Sequence, residues 1–313
     1  MLKYIFFRVT FATIGRLPTR LLYAIFPFVG DLCYLLASGP RRNVWDNLRH
    51  AVPPETPKRE IRRMARQVFR NVALYYVDLA RIPYTDPVDL FENRMEIHGL
   101  NEILIPAVNE GKGVIMLSAH CGNPELAGQA LIAIGIKAFA LTEPLQPPQL
   151  SRFLNKQRAS LGLGFAPVGY AGVKRVMQTL RSGGVVALMG DRDIEGPKLR
   201  LPFFGEETWM PTGPIEVALR TGATVVPSCS LRRNNDSIVA HMETPLDLQN
   251  TGNFEADVRA GALAYIERLE KRLAQDAGQW MVLEAIWDNE QGGSNDEEAQ
   301  QPAGQREEAA RQG

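Results

Sequence analysis

The sequence predicts an α/β fold, in which helices flank a central and mostly parallel sheet and a helical extension precedes them at the N-terminus. Two observations lead to this fold class. Residues 114–117 and 185–189 are apolar at every position, which is typical of strands buried on both faces of a parallel sheet. Segments of helical periodicity lie between such runs, and 45% of the 313 residues are hydrophobic, enough to build a large core.

Three regions of different composition divide the chain. Residues 1–40 are predicted to form membrane-associating helices, residues 41–288 the α/β domain, and residues 289–313 a tail. The tail holds six acidic residues, two arginines and few apolar residues, so we expect it to be disordered. Length alone would also allow two domains.

The N-terminal region is basic as well as apolar. Residues 1–50 hold seven Lys or Arg and two Asp, a net charge of +5, although the whole chain is neutral. Charged residues leave uncharged runs of only about ten residues, against the roughly 18–20 that a transmembrane helix needs. We therefore expect one or two amphipathic helices, broken near Pro18 and Pro27, that contact an anionic membrane surface and not nucleic acid. Packing of these helices on the core of the domain is the alternative.

The helices of the α/β domain follow from apolar periodicity and from the residues at their ends. Thr56 is a candidate N-cap for a helix over residues 57–80. Gly162, Gly183 and Gly222 can end helices, because glycine adopts the left-handed conformation found there. The predicted helices span residues 44–49, 57–80, 100–109, 150–161, 172–181, 212–220 and 254–277.

Strands are predicted where short apolar runs meet turn residues. Residues 233–236 form a polar turn, so the runs on either side are expected to pair as neighbouring strands. The predicted strands span residues 114–117, 137–141, 185–189, 228–231, 237–242 and 279–288, of which the last is the final element of the domain.

One segment combines a strand, a turn and a helix start around a histidine and an acid. His120 follows the strand over residues 114–117. Asn123 is a good N-cap, and Pro124 suits the first helical position. Glu125 then lies in the first turn, where the helix dipole favours a carboxylate, and from there it can reach His120. Because ligands usually bind at the carboxyl ends of such strands, we interpret His120 as a general base held by Glu125. A purely structural histidine is the alternative.

The cysteines and the other histidines do not predict a metal site. Cys33, Cys121 and Cys229 are too few for a disulfide framework, which suits a reducing compartment. Cys121 is not expected to be a nucleophile, since it adjoins His120 on the same turn. The histidines without ligand spacing, which we interpret as structural, are His50, His98 and His241.

Four ordered blocks of the sequence resemble a known enzyme family. His120 and Glu125, with four residues between them, are similar to the HxxxxD/E motif of the glycerolipid acyltransferase superfamily. Residues 119–126 resemble the bacterial branch that contains the lipid A late acyltransferases and the phosphatidylinositol mannoside acyltransferases. The other similar blocks are residues 190–193 with 201–205 and 211–214, residues 155–158, and residues 222–227.

The resemblance implies a membrane-associated O-acyltransferase that uses no metal and no cofactor. It would move a fatty acyl group from acyl-CoA or acyl-carrier protein to a hydroxyl of a glycolipid or lysophospholipid, with His120 as the base and Glu125 orienting it. Arg158 and Arg192 are the expected phosphate anchors, because a guanidinium pairs bidentately with phosphate oxygens. The other candidate binding residues are two acids that would position an arginine or a sugar hydroxyl, Asp191 and Asp193, and two rings that would line an acyl slot or the core, Phe203 and Phe204.

The partners expected from the resemblance are membrane lipids, an anionic membrane surface and the acyl thioester. The expected location is peripheral, at the cytoplasmic face of the cell inner membrane. The chain lacks the basic residues that follow Gln279-Trp280 in the family, which favours a glycosylated phospholipid over lipid A as the acceptor. Two alternatives stay open: a non-catalytic lipid-binding protein on the same fold, and a thioesterase in which water replaces the acceptor. The intact His120 and Glu125 argue against the first, whereas both transfer and hydrolysis would use the same base.

Overall fold

The computed structural model describes residues 2–192, 196–233 and 237–287. The predictions for Asp193 and for the tail over residues 289–313 lie outside the described residues. The α-helices are α1 (Leu2–Ile14), α2 (Thr19–Leu36), α3 (Ser38–Ala51), α4 (Lys58–Arg81), α5 (Pro87–Asp89), α6 (Ile105–Asn109), α7 (Pro124–Ala130), α8 (Pro148–Arg158), α9 (Tyr170–Arg181), α10 (Gly213–Thr221) and α11 (Phe254–Gln275). The strands are β1 (Met95–His98), β2 (Val114–Ser118), β3 (Ala138–Thr142), β4 (Gly164–Pro167), β5 (Val185–Met189), β6 (Lys198–Phe203), β7 (Glu206–Pro211), β8 (Thr224–Arg232) and β9 (Ile238–Met242).

A seven-stranded sheet forms the centre of the fold, in the order β1-β9-β8-β2-β5-β3-β4. Its neighbouring strands are parallel except β8 and β9, which pair antiparallel as the polar turn between them predicted. All five residues of β2, near the middle of the sheet, are buried, as expected for a strand covered on both faces. The predicted α/β fold with a mostly parallel sheet flanked by helices is therefore confirmed.

The first two helices are separated at Pro18, as predicted, but Pro27 lies inside α2 and does not end it. Thr19–Leu36 is consequently one helix of 18 residues, long and apolar enough to cross a membrane by length and composition alone. The prediction that no stretch reaches this length is wrong, because the charges of Arg20 and Asp31 lie inside the helix without ending it.

One face of α2 packs closely on α4. The Asp31 carboxylate binds both Arg66 and Arg70, with Nη2–Oδ2 distances of 2.8 and 2.7 Å. Gly30 is buried against the backbone of Arg70, and a Cβ built on Gly30 would lie only 2.6 Å from the Arg70 Cα. The helix is thus held against the domain along this face, which is the packing that the alternative interpretation expected.

The opposite face of α2 leaves large apolar side chains exposed. Ile25, Phe28, Leu32, Leu35 and Leu36 follow the three- and four-residue spacing of one helical stripe, and all are exposed. We call these five residues the α2 stripe. On α1, exposed apolar residues recur in the same way at Ile5, Phe6 and Val9. The N-terminal helices therefore contact the core and also present an apolar surface.

Some predicted boundaries are wrong. Helix α3 spans 14 residues and not only residues 44–49, since Pro40 lies in its first turn, where proline is tolerated. Residues 279–287 form no strand; Trp280 makes only an isolated bridge to Cys121. The edge strands β1 and β4 and the β6–β7 hairpin were not predicted, because these short segments are only partly apolar.

Candidate active site

The candidate site is built on the carboxyl ends of β2 and β5, which are adjacent and parallel. Ser118 at the end of β2 pairs in register with Met189 at the end of β5. Two residues after these strand ends come His120 and Asp191. The backbone nitrogen of Gly190 donates a hydrogen bond of 2.9 Å to the Ser118 carbonyl, so the two turns stay side by side. This parallel pairing brings a histidine and an acid to one edge of the sheet, 71 residues apart in sequence.

Asp191 holds His120 at two points. Its Oδ1 lies 2.8 Å from the imidazole Nδ1, and its Oδ2 accepts a hydrogen bond of 2.9 Å from the backbone nitrogen of His120. A charged carboxylate can only accept, so Nδ1 must carry a proton and Nε2 is left with its lone pair. The side chain of His120 is 29% exposed, whereas that of Asp191 is fully buried. The arrangement leaves the imidazole partly exposed and buries the acid that orients it.

Trp280 completes the surroundings of Asp191. Its indole Nε1 donates a hydrogen bond of 2.9 Å to Asp191 Oδ2. Burial by itself would raise the pKa of Asp191, but the charge of His120 and the hydrogen bonds from His120 and Trp280 together hold that pKa below its usual value. The carboxylate is therefore ionised at neutral pH and can stabilise a protonated imidazole.

The segment after α11 fastens the turn that carries His120. The backbone nitrogen of Met281 donates a hydrogen bond of 2.7 Å to the carbonyl of His120, and that of Gly122 donates one of 3.1 Å to the carbonyl of Gln279. The Gln279 side chain in turn binds the backbone of Arg232 in β8 through both its oxygen and its nitrogen. The candidate site is thus fixed from three sides, by β2, β5 and this C-terminal segment.

Glu125 does not hold His120, in contrast to the prediction. Its Oε2 lies 2.9 Å from Nε of Arg158 and accepts a hydrogen bond of 3.0 Å from the hydroxyl of Tyr75. The first turn of α7 directs the side chain toward Tyr75 in α4 and Arg158 in α8, where both contacts are made by the same oxygen. Its other oxygen, Oε1, is buried without a hydrogen-bond partner among the described residues.

Arg158 is occupied by these neighbours. Its Nε binds Glu125, its Nη2 donates to the Tyr75 hydroxyl at 3.0 Å, and its Nη1 donates to Asn155 at 3.2 Å. Burial alone would lower the pKa of Arg158, but its electrostatic interactions with Tyr75 and Glu125 and the hydrogen bonds that it donates to both raise that pKa, so it remains a cation. In this structure the guanidinium neutralises Glu125, and each of its nitrogens already has a partner.

Arg192 lies next to Asp191 in the chain and faces two acids on the rim of the site. Its Nη2 lies 2.6 Å from an oxygen of Glu143, and its Nη1 lies 3.7 Å from an oxygen of Glu284. Both carboxylates are largely exposed, which makes them replaceable by another anion. Asp193, predicted to act beside Arg192, lies outside the described residues.

Phe203 belongs to an aromatic cluster beneath the site. It is fully buried, stacks on Trp287 with a centroid distance of 5.4 Å, and meets Trp280 edge-on at 5.9 Å. Phe204 is partly buried and has a φ of 50°, in the left-handed region, while its backbone nitrogen donates to the Glu270 carboxylate. Of the two alternatives, Phe203 therefore fits the core, where it supports the indole that binds Asp191.

A buried network that sequence reasoning missed supports the N-cap of α7. Asn123 accepts a hydrogen bond of 3.0 Å from the Leu126 backbone, as predicted for a cap, and donates one of 2.7 Å to Asp78. Asp78 also binds Arg232 and the hydroxyl of Tyr23. The sequence signal that could have indicated this network is Asp78 itself, an acid within the apolar face of α4. An acid in such a position is buried only when it is paired.

Known proteins are similar to this chain over most of its length. A model of the family described as bacterial lipid A biosynthesis acyltransferase matches residues 1–289. A phosphatidylinositol mannoside acyltransferase from Mycobacterium tuberculosis (strain ATCC 25618 / H37Rv) is 27% identical over 219 residues, which is 68% of this chain and 66% of that protein, just under two thirds. One from Mycolicibacterium smegmatis (strain ATCC 700084 / mc(2)155) is 27% identical over 230 residues, 72% of each chain.

Proposed function

We propose that the chain, which belongs to the bacterial lipid A biosynthesis acyltransferase family, transfers a fatty acyl group from an acyl thioester to a hydroxyl of a glycolipid or lysophospholipid. The observation that carries this proposal is the contact between His120 Nδ1 and Asp191 Oδ1, 2.8 Å long, at the carboxyl ends of β2 and β5. It leaves a basic nitrogen facing outward from a fixed ring, which is what a general base needs.

In the proposed reaction, Nε2 of His120 takes the proton of the acceptor hydroxyl as that oxygen attacks the thioester carbonyl carbon. The C–O bond forms, a tetrahedral intermediate results, and collapse of the intermediate breaks the C–S bond. The protonated imidazole then returns its proton to the departing thiolate, so that the base is regenerated without a covalent acyl-enzyme. Asp191 stabilises the imidazolium between these two proton transfers.

Glu125 is proposed to act as a positioning residue. It lies two residues after the N-cap Asn123 and binds Arg158 and Tyr75, so it fixes α7 against α8 and α4. Its unpartnered and buried Oε1 is suited to accept a hydrogen bond from a sugar hydroxyl or a water. This role differs from the direct contact with His120 that the motif implied.

Arg192 is the phosphate anchor that we retain. It adjoins Asp191, and its present partners Glu143 and Glu284 are exposed carboxylates that a phosphate could displace. Arg158 is less suited, since its nitrogens are bound to Glu125, Tyr75 and Asn155. The names of the mycobacterial relatives support a glycosylated phospholipid as the acceptor.

The N-terminal helices are proposed to bind the membrane from one side, at its cytoplasmic face. The α2 stripe supplies an apolar surface, whereas the opposite face of α2 is held to α4 by Asp31 and Gly30. A helix fixed in this way along one face is better suited to lie at the interface than to cross the bilayer.

Hydrolysis of the thioester is the second candidate function, since the 29% exposure of the His120 side chain also admits water. The test is product analysis with acyl-CoA labelled in its acyl chain, with and without phosphatidylinositol mannoside. Transfer predicts a labelled lipid product that requires the glycolipid, and little free fatty acid. Free fatty acid released at the same rate in both reactions would assign the protein to the thioesterases, and failure of the protein to turn over either mixture would contradict the proposal.

A further inference from the structure

A cavity of about 560 Å³ lies along α3, and neither His120 nor Asp191 lines it. This volume falls within the roughly 300–1,000 Å³ typical of small-molecule sites. Ser38, Arg42, Trp45 and Arg49 recur at spacings of four, three and four residues, so one face of the helix points into the cavity. Ala285, from the C-terminal segment, forms part of the opposite wall.

The cavity is cationic. Three guanidinium groups, those of Arg41, Arg42 and Arg49, line it together with one carboxylate, that of Asp46. Arg41 is fixed by hydrogen bonds of 3.0 and 2.9 Å to the Tyr34 and Leu35 carbonyls at the end of α2. Arg42 and Arg49 are exposed, and no ion pair joins either of them to a carboxylate in the part of the chain that the structure describes. Two guanidinium groups are therefore available to bind an anion.

The cavity directly follows the α2 stripe. Leu35 and Leu36, the last residues of the stripe, are 65% and 74% exposed, and Ser38 at the cavity comes two residues later. Trp45 lies between the arginines, and tryptophan is a residue that prefers the boundary between lipid tails and headgroups. An apolar stripe that ends at a cationic cavity matches the layout of a phospholipid, in which acyl chains end at an anionic headgroup.

We propose that this cavity binds the phosphate of an anionic phospholipid headgroup, with Arg42 and Arg49 as its ligands and the acyl chains along the α2 stripe. The site would dock the protein in a fixed orientation, beside the rim of the catalytic site. Ala285 in its wall is next to Glu284, which lies 3.7 Å from Arg192. The proposal rests on the proposed function only for the use of a membrane surface, and it needs no part of the catalytic step.

The test measures binding of the full chain to vesicles of phosphatidylcholine alone and of equimolar phosphatidylcholine and phosphatidylglycerol. Arg42→Gln/Arg49→Gln should lower affinity for the phosphatidylglycerol vesicles by about tenfold or more, since each basic group at an anionic surface adds several-fold. Arg42→Lys/Arg49→Lys should also bind more weakly, because lysine cannot form the bidentate contact. The matched control is Arg59→Gln/Arg62→Gln, which removes the same charge from exposed positions on α4 and should change binding far less.

Two outcomes would overturn the proposal. Equal losses in the Gln pair and in the control, with wild-type binding by the Lys pair, would show diffuse attraction and no site. Displacement of the protein from vesicles by free CoA, with a raised KM for acyl-CoA in detergent, would show a nucleotide site.

Acyl transfer measured in detergent micelles should be unchanged in the Gln pair. Absence of transfer by the wild-type protein would contradict the proposed function. The binding of the variants to vesicles would still show whether the cavity binds an anionic headgroup.

Discussion

Asp191 contacts His120 twice, through its ring at 2.8 Å and through its backbone nitrogen at 2.9 Å. The same carboxylate therefore fixes the proton position on the imidazole and the path of the chain that carries it. Trp280 donates a third hydrogen bond to this carboxylate, at 2.9 Å. Asp191, and not Glu125, is therefore the acid that binds His120 in this structure, and we expect the activity of His120 to depend on it.

Replacement of Asp191 by Asn is expected to lower kcat/KM for acyl transfer by about 10²–10⁴-fold. The amide removes the charge that stabilises the imidazolium, and it cannot accept all three hydrogen bonds with one oxygen. Steady-state kinetics on the folded variant measure this effect, with Asp247→Asn as a control at an exposed acid. Similar rates for the two variants would contradict the role given to Asp191.

Replacement of Glu125 is expected to act mainly on stability and on the position of Arg158. Glu125→Gln leaves the buried guanidinium of Arg158 without its counter-charge. Breaking such a pair lowers the free energy of unfolding by about 3–5 kcal/mol. We expect a smaller loss here, because the glutamine amide oxygen can still accept a hydrogen bond from Arg158. Urea unfolding of Glu125→Gln, Arg158→Met and the double variant should reveal a coupling free energy of about 1–3 kcal/mol.

The pH dependence of kcat/KM separates the two acids. Because Asp191 and not Glu125 forms the hydrogen bond with the His120 ring, the rate that remains in Glu125→Gln should follow the wild-type pH profile, whereas Asp191→Asn should shift it. A shifted profile in Glu125→Gln, with an unchanged one in Asp191→Asn, would restore Glu125 as the partner of the base.

Asp31 predicts a pH dependence for the docking of α2. The hydrogen bond from Arg70, together with that from Arg66, lowers the pKa of Asp31 from 3.8 to about 2. Because the folded-state value is depressed, the stabilisation is complete above the unfolded pKa and is lost as the pH falls from about 4 toward 2. Asp31→Asn should therefore unfold more easily than wild type by about 1–2 kcal/mol at pH 6, and the difference should shrink below pH about 4. A difference that is constant with pH would contradict this account of the contact.

Gly30 predicts how tightly α2 packs on α4. A Cβ at this position would meet the Arg70 backbone at 2.6 Å, so Gly30→Ala should destabilise the protein by about 1–3 kcal/mol in urea unfolding. The control is Gly39→Ala in α3, where a Cβ would meet no atom within 4 Å and where alanine is the better helix former. Equal stability of both variants would mean that α2 is held more loosely.

Features set by short stretches of sequence were predictable. The strand before His120, the cap at Asn123 and the break at Pro18 all depend on neighbouring residues, and the structure has each of them. The contact of Asp191 with His120 was not predictable in this way, because it depends on β5 lying beside β2, a pairing across about seventy residues. The motif placed Glu125 near His120 in sequence but could not specify the side to which its carboxylate turns.

The wrong predictions outside the site, for Pro27 and for residues 279–287, also concern contacts between segments that are distant in sequence. Pro27 was expected to end a helix, but α2 continues through it because Asp31 and Gly30 bind the following turns to α4. Residues 279–287 were expected to form a strand from their apolar character. They are instead fastened across the site by single hydrogen bonds, such as that from Met281 to His120, which no local pattern indicates.

The rate of acyl transfer by His120→Ala decides whether His120 is the general base. Acyl-CoA with a labelled acyl chain and phosphatidylinositol mannoside are the substrates, and circular dichroism and the unfolding midpoint verify that the variant is folded. We expect a loss of about 10²–10⁴-fold in kcat, because the acceptor hydroxyl then lacks its general base. A folded His120→Ala protein that transfers the acyl group at nearly the wild-type rate would contradict the mechanism.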